Sequence, residues 1–163
     1  MTNLQKLNSK LHTLNSLKEH LEKWKKNGDK IVFTNGCFDL LHRGHAEALA
    51  NTADLGDRLI IGLNSDQSIK KLKGNNRPII DEKSRSILLA SFQFVDAIVL
   101  FSEVTPTKLI EIIMPDVLVK GGDYKIEEIA GYKTILQNGG KVITVPLVDG
   151  FSTSNIIHKI KKD

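Results

Sequence analysis

The sequence predicts an α/β fold, a parallel sheet with helices on both faces. Three observations carry this. Apolar runs recur at residues 31–34, 58–63, 97–101, 116–120 and 141–145, with apolar side chains at consecutive positions. Strands covered on both faces read that way, whereas a half-exposed strand alternates. Between the runs lie segments with apolar residues three or four apart, the period of a helix. Finally, the chain has 163 residues, 40% apolar and 26% charged, enough for one domain with its own core.

The elements follow in order. Leu4, Leu7, Leu11, Leu14, Leu17, Leu21 and Trp24 form one apolar stripe, which predicts a single amphipathic helix over 4–24, ended by Asn27-Gly28. Residues 1–29 are thus read as a leading helical segment and 30–163 as the domain proper. The stripe either packs on that domain or pairs with a second copy, and a homodimer is the expected oligomer. Ile31–Thr34 is the first domain strand, and Asn35-Gly36 turns the chain out of it. A helix over 45–55, closed by Gly56, leads to a strand over 58–63. A short helix at 66–72, a Gly/Asn/Pro loop at 74–80 and a helix at 82–94 precede the strand at 97–101. Thr105-Pro106 opens another helix, ended before Pro115. Strands at 116–120 and 141–145 and a helix over 152–162 complete the chain, with no internal repeat and no dividing linker.

Composition narrows the function. Lys and Arg exceed Asp and Glu by 23 to 19, and the first 30 residues hold seven lysines against three acids. The whole excess therefore lies in the leading segment, which, with Trp24 its one aromatic and no aromatic run, fits a solvated helix face and not a nucleic-acid surface. No apolar run is long enough to span a bilayer, and Met1–Lys6 lacks the apolar stretch of a secretory signal. The single cysteine, Cys37, excludes an intramolecular disulfide framework and a multi-cysteine zinc cage. A soluble cytoplasmic domain is expected.

The chemistry concentrates in Thr34-Asn35-Gly36-Cys37-Phe38-Asp39-Leu40-Leu41-His42-Arg43-Gly44-His45, where the first domain strand runs into its helix. Ligands of parallel sheets bind beyond the carboxyl ends of the strands, and a helix amino terminus favours phosphate. His42 and His45 stand three apart, so both imidazoles can face one side of a helical turn, and Gly44 between them in sequence leaves room for a ligand to approach the backbone. A metal pair is the weaker reading, because His12, His20 and His158 are distant and no nearby cysteine completes a site. Cys37 lacks an adjacent base and reads as a small side chain packed under the turn.

This stretch resembles the HxGH motif of the cytidylyltransferase-like nucleotidyltransferase superfamily, whose members have Rossmann-like sheets. Residues 30–160 more narrowly resemble the heptose 1-phosphate adenylyltransferase family, the adenylyltransferase half of bacterial ADP-heptose synthases. Leu55–Ile60, Asn64-Ser65-Asp66, Leu72-Lys73-Gly74 with Arg77-Pro78, Pro115–Tyr124, Glu128–Gly131 and Asp149–Thr153 carry that likeness. Ser152-Thr153-Ser154 stands where the family has Ser-Thr-Thr, and keeps a hydroxyl. Glycerol-3-phosphate cytidylyltransferase is the rival within the superfamily, but the arginine that opens its final block is Leu147 here. A non-catalytic nucleotide-binding module is the alternative from another class.

The resemblance implies transfer of AMP from ATP to D-glycero-β-D-manno-heptose 1-phosphate, with release of pyrophosphate, in lipopolysaccharide core synthesis. It implies Mg²⁺ carried in with ATP and no dedicated metal site. The family's sugar kinase has no counterpart here, so a separate heptose kinase is the expected partner. His42, His45, Lys73 and Arg85 are the expected catalytic residues. Thr34, Asn35, Gly36, Cys37, Phe38, Gly44, Lys120, Gly121, Gly122, Asp123, Ser152, Thr153 and Ser154 are expected around the nucleotide. Asp39, Asp66 and Arg77 are candidates for the sugar phosphate or for orienting a metal, with Asp39 alternatively fixing the turn. The 74–80 loop, with Gly74, Asn75 and Asn76, is a candidate to close over the substrates.

Overall fold

A computed structural model describes residues 1–122 and 124–162. Six strands form one parallel sheet: β1 Leu11–His12, β2 Ile31–Gly36, β3 Arg58–Asn64, β4 Ala97–Phe101, β5 Val117–Gly121 and β6 Lys141–Val145. Their order is β1-β4-β3-β2-β5-β6. The helices are α1 Asn3–Asn8, α2 Leu14–Lys26, α3 Arg43–Ala53, α4 Asp66–Lys73, α5 Glu82–Ala90, α6 Thr107–Ile113, α7 Tyr132–Gln137 and α8 Thr153–Ile160. This is the Rossmann-like α/β class that the apolar runs predict. From β2 the chain steps outward through β3 to β4, then returns to place β5 on the other side of β2. The crevice at the carboxyl ends of β2 and β5 is therefore the switch point, the place where such sheets hold ligands.

The sheet sorts its side chains by alternation. Phe33 and Ile60 face one core with Leu17, Leu21 and Trp24 of α2 and Leu109, Ile110 and Ile113 of α6. Val32, Leu59 and Ile61 face the other core with Leu49 of α3 and Leu89 of α5. One glycine makes a close approach possible: a Cβ on Gly62 would stand 2.7 Å from Cζ of Phe33, whose ring crosses under β3.

The single helix over 4–24 is corrected. Ser9 ends α1, β1 adds an edge strand beside β4 with Leu11 paired to Ile98, and Thr13 starts α2 by accepting from the Ser16 N–H. The 3-4 spacing persisted through the break because Leu11 reaches the core from a strand in the position a helical leucine would have taken. Apart from Leu4, which is exposed, the stripe residues pack on the chain's own cores, Leu17, Leu21 and Trp24 buried and Leu7, Leu11 and Leu14 partly so. The helix expected over 82–94 stops at Ala90, and Phe92 and Phe94 stack in the following turn. A 3-10 turn at Ile126–Glu128 and α7 were not anticipated, being too short to show a period.

Candidate active site

The turn from β2 into α3 is held under strain. Phe38 and Leu40 adopt left-handed φ values of 47° and 51°, which non-glycine residues hold only when their surroundings dictate it. Asp39 dictates much of it. Its side chain is buried and accepts from Arg77 Nε at 2.7 Å, Ile79 N at 2.8 Å and Ile80 N at 3.0 Å. Burial alone would raise this carboxyl, but the two backbone N–H donors and Arg77 outweigh it and hold Asp39 below the usual range. Thr153, at the start of α8, donates from Oγ1 to the Asp39 carbonyl at 2.7 Å. Of the two readings open for Asp39, the structure assigns the fixing of the turn.

That frame presents the two histidines together. His42 is the N-cap of α3, with extended backbone and no capping bond from its side chain. The His42 and His45 rings stack at 3.9 Å between centroids and 24° between planes. Each has a buried Nδ1 with no hydrogen-bond partner among the described residues. Phe38 meets His45 edge-on at 5.5 Å, and Phe151 lies 6.3 Å from His42. Burial, then His42 and Lys73, push His45 down to about 4, and burial lowers His42 as well. Both imidazoles are neutral donors at neutral pH. Gly44 serves this stack: a Cβ there would come within 3.0 Å of both His42 Cε1 and Phe151 Cβ. The space its missing side chain leaves is bordered by those rings, and Gly44 itself lines the cavity described next.

The rings border a cavity of about 690 Å³ beyond the sheet's carboxyl edge. Thr34, Asn35, Gly36, Cys37 and Phe38 line it from β2 and its turn, and Lys120 and Gly121 from the end of β5. Lys73, Arg77 and the Ser152-Thr153-Ser154 run close it from other sides. Arg77 keeps its Nη2 buried and without a partner among the described residues while Nε holds Asp39. Lys120 lies over the Tyr124 ring at 5.6 Å; burial lowers its pKa, Cys37 offsets part of this, and Lys73 lowers it further. Ser152 caps α8 by accepting from Asn155 N at 3.0 Å, the plain role of a hydroxyl at a helix start. Lysines and an arginine around neutral donors, with the Asp39 carboxylate paired to Arg77 and Glu128 the other carboxylate in the lining, suit a polyanion. Phe151 and Tyr124 also line the cavity and were missed, marked in sequence only by their adjacency to the glycine and serine runs; Leu147, read in sequence as standing where the rival transferase has its arginine, lines it too.

Three expected residues stand elsewhere. The Arg85 side chain is fully buried, outside the cavity lining, and gives its protons to protein acceptors. Asp66 is its ion-pair partner at 2.7 Å and does not line the cavity either. Gly122 is likewise absent from the lining, its N–H donating to the Val145 carbonyl at 2.9 Å. Asp123 lies outside the described residues. The two carboxylates read as metal-orienting are thus each committed to an arginine, and the described residues hold no cluster of three or more metal-ligating side chains. They do not form a protein cage for Mg²⁺. No described helix is long and apolar enough to cross a membrane.

Known proteins resemble this chain. The bifunctional protein HldE of Koribacter versatilis (strain Ellin345) is 48% identical over 151 residues, 93% of this chain and 31% of that protein. HldE of Actinobacillus succinogenes is 54% identical over 149 residues, 91% of this chain and again 31% of the relative. The chain thus spans about a third of the length of these relatives. Among solved structures, the lipopolysaccharide core biosynthesis protein from Thermoplasma volcanium GSS1 superposes with a TM-score of 0.60 at 32% identity, over 74% of this chain and 98% of that one. Pantoate-beta-alanine ligase from Francisella tularensis, with a TM-score of 0.60 at 14% identity over 93% of this chain and 76% of its own, shares the fold. The family described as Cytidylyltransferase-like matches residues 33–159, from inside β2 to inside α8 and so across the whole cavity. By that match and by the identity of its relatives, the chain belongs to the cytidylyltransferase-like family.

Proposed function

We propose that this domain is an adenylyltransferase that joins AMP from ATP to D-glycero-β-D-manno-heptose 1-phosphate. One observation carries the reading: two stacked, neutral imidazoles with unpartnered nitrogens border the same cavity as Lys73 and Lys120. A cavity with fixed donors and cations around a strained turn suits a phosphoryl group that gains charge on its oxygens during displacement. The resemblance of residues 30–160 to the adenylyltransferase half of ADP-heptose synthases supports the choice of ATP and of the heptose. Leu147 in place of the rival cytidylyltransferase's arginine supports it too.

In the reaction, a phosphate oxygen of the sugar 1-phosphate forms a bond to the α-phosphorus, and the bond from that phosphorus to the bridging oxygen of the β-phosphate breaks. Pyrophosphate leaves with the electron pair. The nucleophile is already an anion, so a general base has nothing to remove. His42 and His45 donate to the α-phosphoryl oxygens. Lys73 and Lys120 hold the triphosphate, and the free Nη2 of Arg77 takes the sugar phosphate. Mg²⁺ carried in with ATP would supply charge neutralisation of the leaving pyrophosphate, a charge that Lys73 and Lys120 would share. The sugar 1-phosphate is the product of a sugar kinase reaction, and the transfer belongs to the cytoplasm, where ATP is available.

The test is pyrophosphate release from the purified chain with ATP, CTP, GTP or UTP, each paired with heptose 1-phosphate, glucose 1-phosphate or glycerol 3-phosphate. ATP with heptose 1-phosphate is the productive pair. Turnover of CTP with glycerol 3-phosphate in its place assigns the domain to the rival transferase. Binding of ATP with no turnover of any pair makes it a nucleotide-binding module.

A further inference from the structure

We infer that Arg85 is a positioning residue, which locks the turn bearing His42 and His45 to the segments bearing Lys73 and Arg77 without touching substrate. The inference rests on the reading of the cavity as a nucleotidyl-transfer site. Its starting point is a cost. A fully buried guanidinium loses several kcal/mol of hydration unless its charge is paired and its donors are bonded. Arg85 has 0% of its side chain exposed. It is the largest fully buried side chain in the described molecule, in a protein whose other large buried residues are aliphatic or aromatic.

Its bonds show what the burial achieves. Nη1 donates to the carbonyls of Cys37 at 2.6 Å and Asn64 at 2.9 Å. The last paired register between β2 and β3 is Gly36 with Leu63. Cys37 and Asn64 are the next residues, where the two strands part to open the cavity, so Arg85 closes the fork that the sheet leaves open. Nη2 donates to Asp66 Oδ1 at 2.7 Å, fixing the first residue of α4, the helix that ends in Lys73. Glu82, also on α5, accepts from the Asp66 N–H at 2.7 Å and secures the same point. Nε donates to the Ile80 carbonyl at 3.0 Å, while the Ile80 N–H donates to Asp39. Residues 77–80 are therefore gripped from both sides, by Arg85 below and by Asp39 above. The loop expected to close over the substrates is anchored along this half.

Four segments thus meet on one side chain, and the geometry needs an arginine. Its planar fork aims donors in several fixed directions, whereas a lysine offers one nitrogen. The Cys37 carbonyl immediately precedes the left-handed Phe38, so this bond holds the strained turn at its root.

The experiment compares the full chain with Arg85→Lys, at a temperature where thermal melting shows both folded. It measures kcat and KM, affinity for the unreactive analogue α,β-methylene-ATP, and amide exchange by segment. Displacing reacting groups by about 1 Å costs on the order of 100-fold. The expected result is a kcat fall of about that size, with faster exchange confined to residues 37–45 and 77–80 and unchanged exchange in α2. Because Arg85 acts through the histidines, Arg85→Lys on a His42→Ala background costs less than about 3-fold more. Unchanged kcat in the folded variant overturns the inference. So does a full multiplicative loss on that background with normal exchange at 37–45, which makes Arg85 a substrate contact. Should Arg85→Lys fail to fold, Asp66→Ala removes a single partner and is expected to give the same exchange pattern with a smaller kcat loss; normal exchange there overturns the inference. If the wild-type chain shows no turnover, the functional reading fails, and exchange with analogue affinity still decides the role of Arg85.

Discussion

His42 and His45 stack face to face, an arrangement that two charged imidazoles would oppose and two neutral ones accept. Burial holds both below their ordinary pKa, so each keeps one proton to donate at neutral pH. Removing one preorganised donor of this kind costs about 10²–10³ in turnover. His42→Ala and His45→Ala are each expected to lose that much in kcat, with melting temperatures close to the parent's; full turnover in either removes the role assigned to it. This pair was legible because the motif lies within four consecutive positions. Lys73 and Lys120 were legible through the family resemblance. Arg85 and Asp66 were read as facing substrate because sequence records the charge of a side chain and not its direction. Only the packed structure shows that α5 turns the guanidinium inward. Asp39 had two readings for the same reason, and the backbone N–H groups of Ile79 and Ile80 decided between them.

At the scale of elements, the central strands and the helices that follow them could be read because each carries a clean period. Residues 1–29 show where the period misleads. Leucines at 3-4 spacing describe one helix, yet Ser9 and Thr13 break it, and Thr13 with Ser16 is a capping pair that signalled a helix start inside the stripe. The edge strand β1 has two residues and no period to detect. The resulting helix–strand–helix unit makes a graded prediction. Leu17 in α2 is 0% exposed and packs under the sheet, while Leu4 in α1 is 62% exposed. Leu17→Ala is expected to lower unfolding free energy by about 2–5 kcal/mol, the range for a buried leucine. Leu4→Ala is expected to stay within about 0.5 kcal/mol of the parent. Urea midpoints measure both, and equal losses would mean that α2 does not belong to the core.

For the whole molecule, the topology places the cavity at the switch point, and its buried titratable groups link folding to pH. His12, His42 and His45 all have depressed pKa values in the folded chain, in each case with burial as the largest cause; the His20 charge adds to it at His12, 4.7 Å away ring to ring. The unfolded chain takes up these protons as pH falls through about 6.5, whereas His45 in the folded chain waits until about 4. Between those values the unfolded state binds more protons, so stability rises with pH across the window and is lost as pH falls. Asp39 acts in the same sense at lower pH: its carboxyl is depressed below 3.8, so the unfolded chain again protonates first. The urea midpoint is therefore expected to hold level from pH 8 to 7, to decline from about 6.5 to 4, and to keep falling below that. His45→Gln removes one of the groups responsible, so the decline should be shallower in that variant. A midpoint that stays flat from pH 7 to 4.5, or an identical slope in His45→Gln, would mean that the imidazole takes up its proton as readily in the folded cavity as in water. The neutral stack on which the chemistry rests would then not exist in solution.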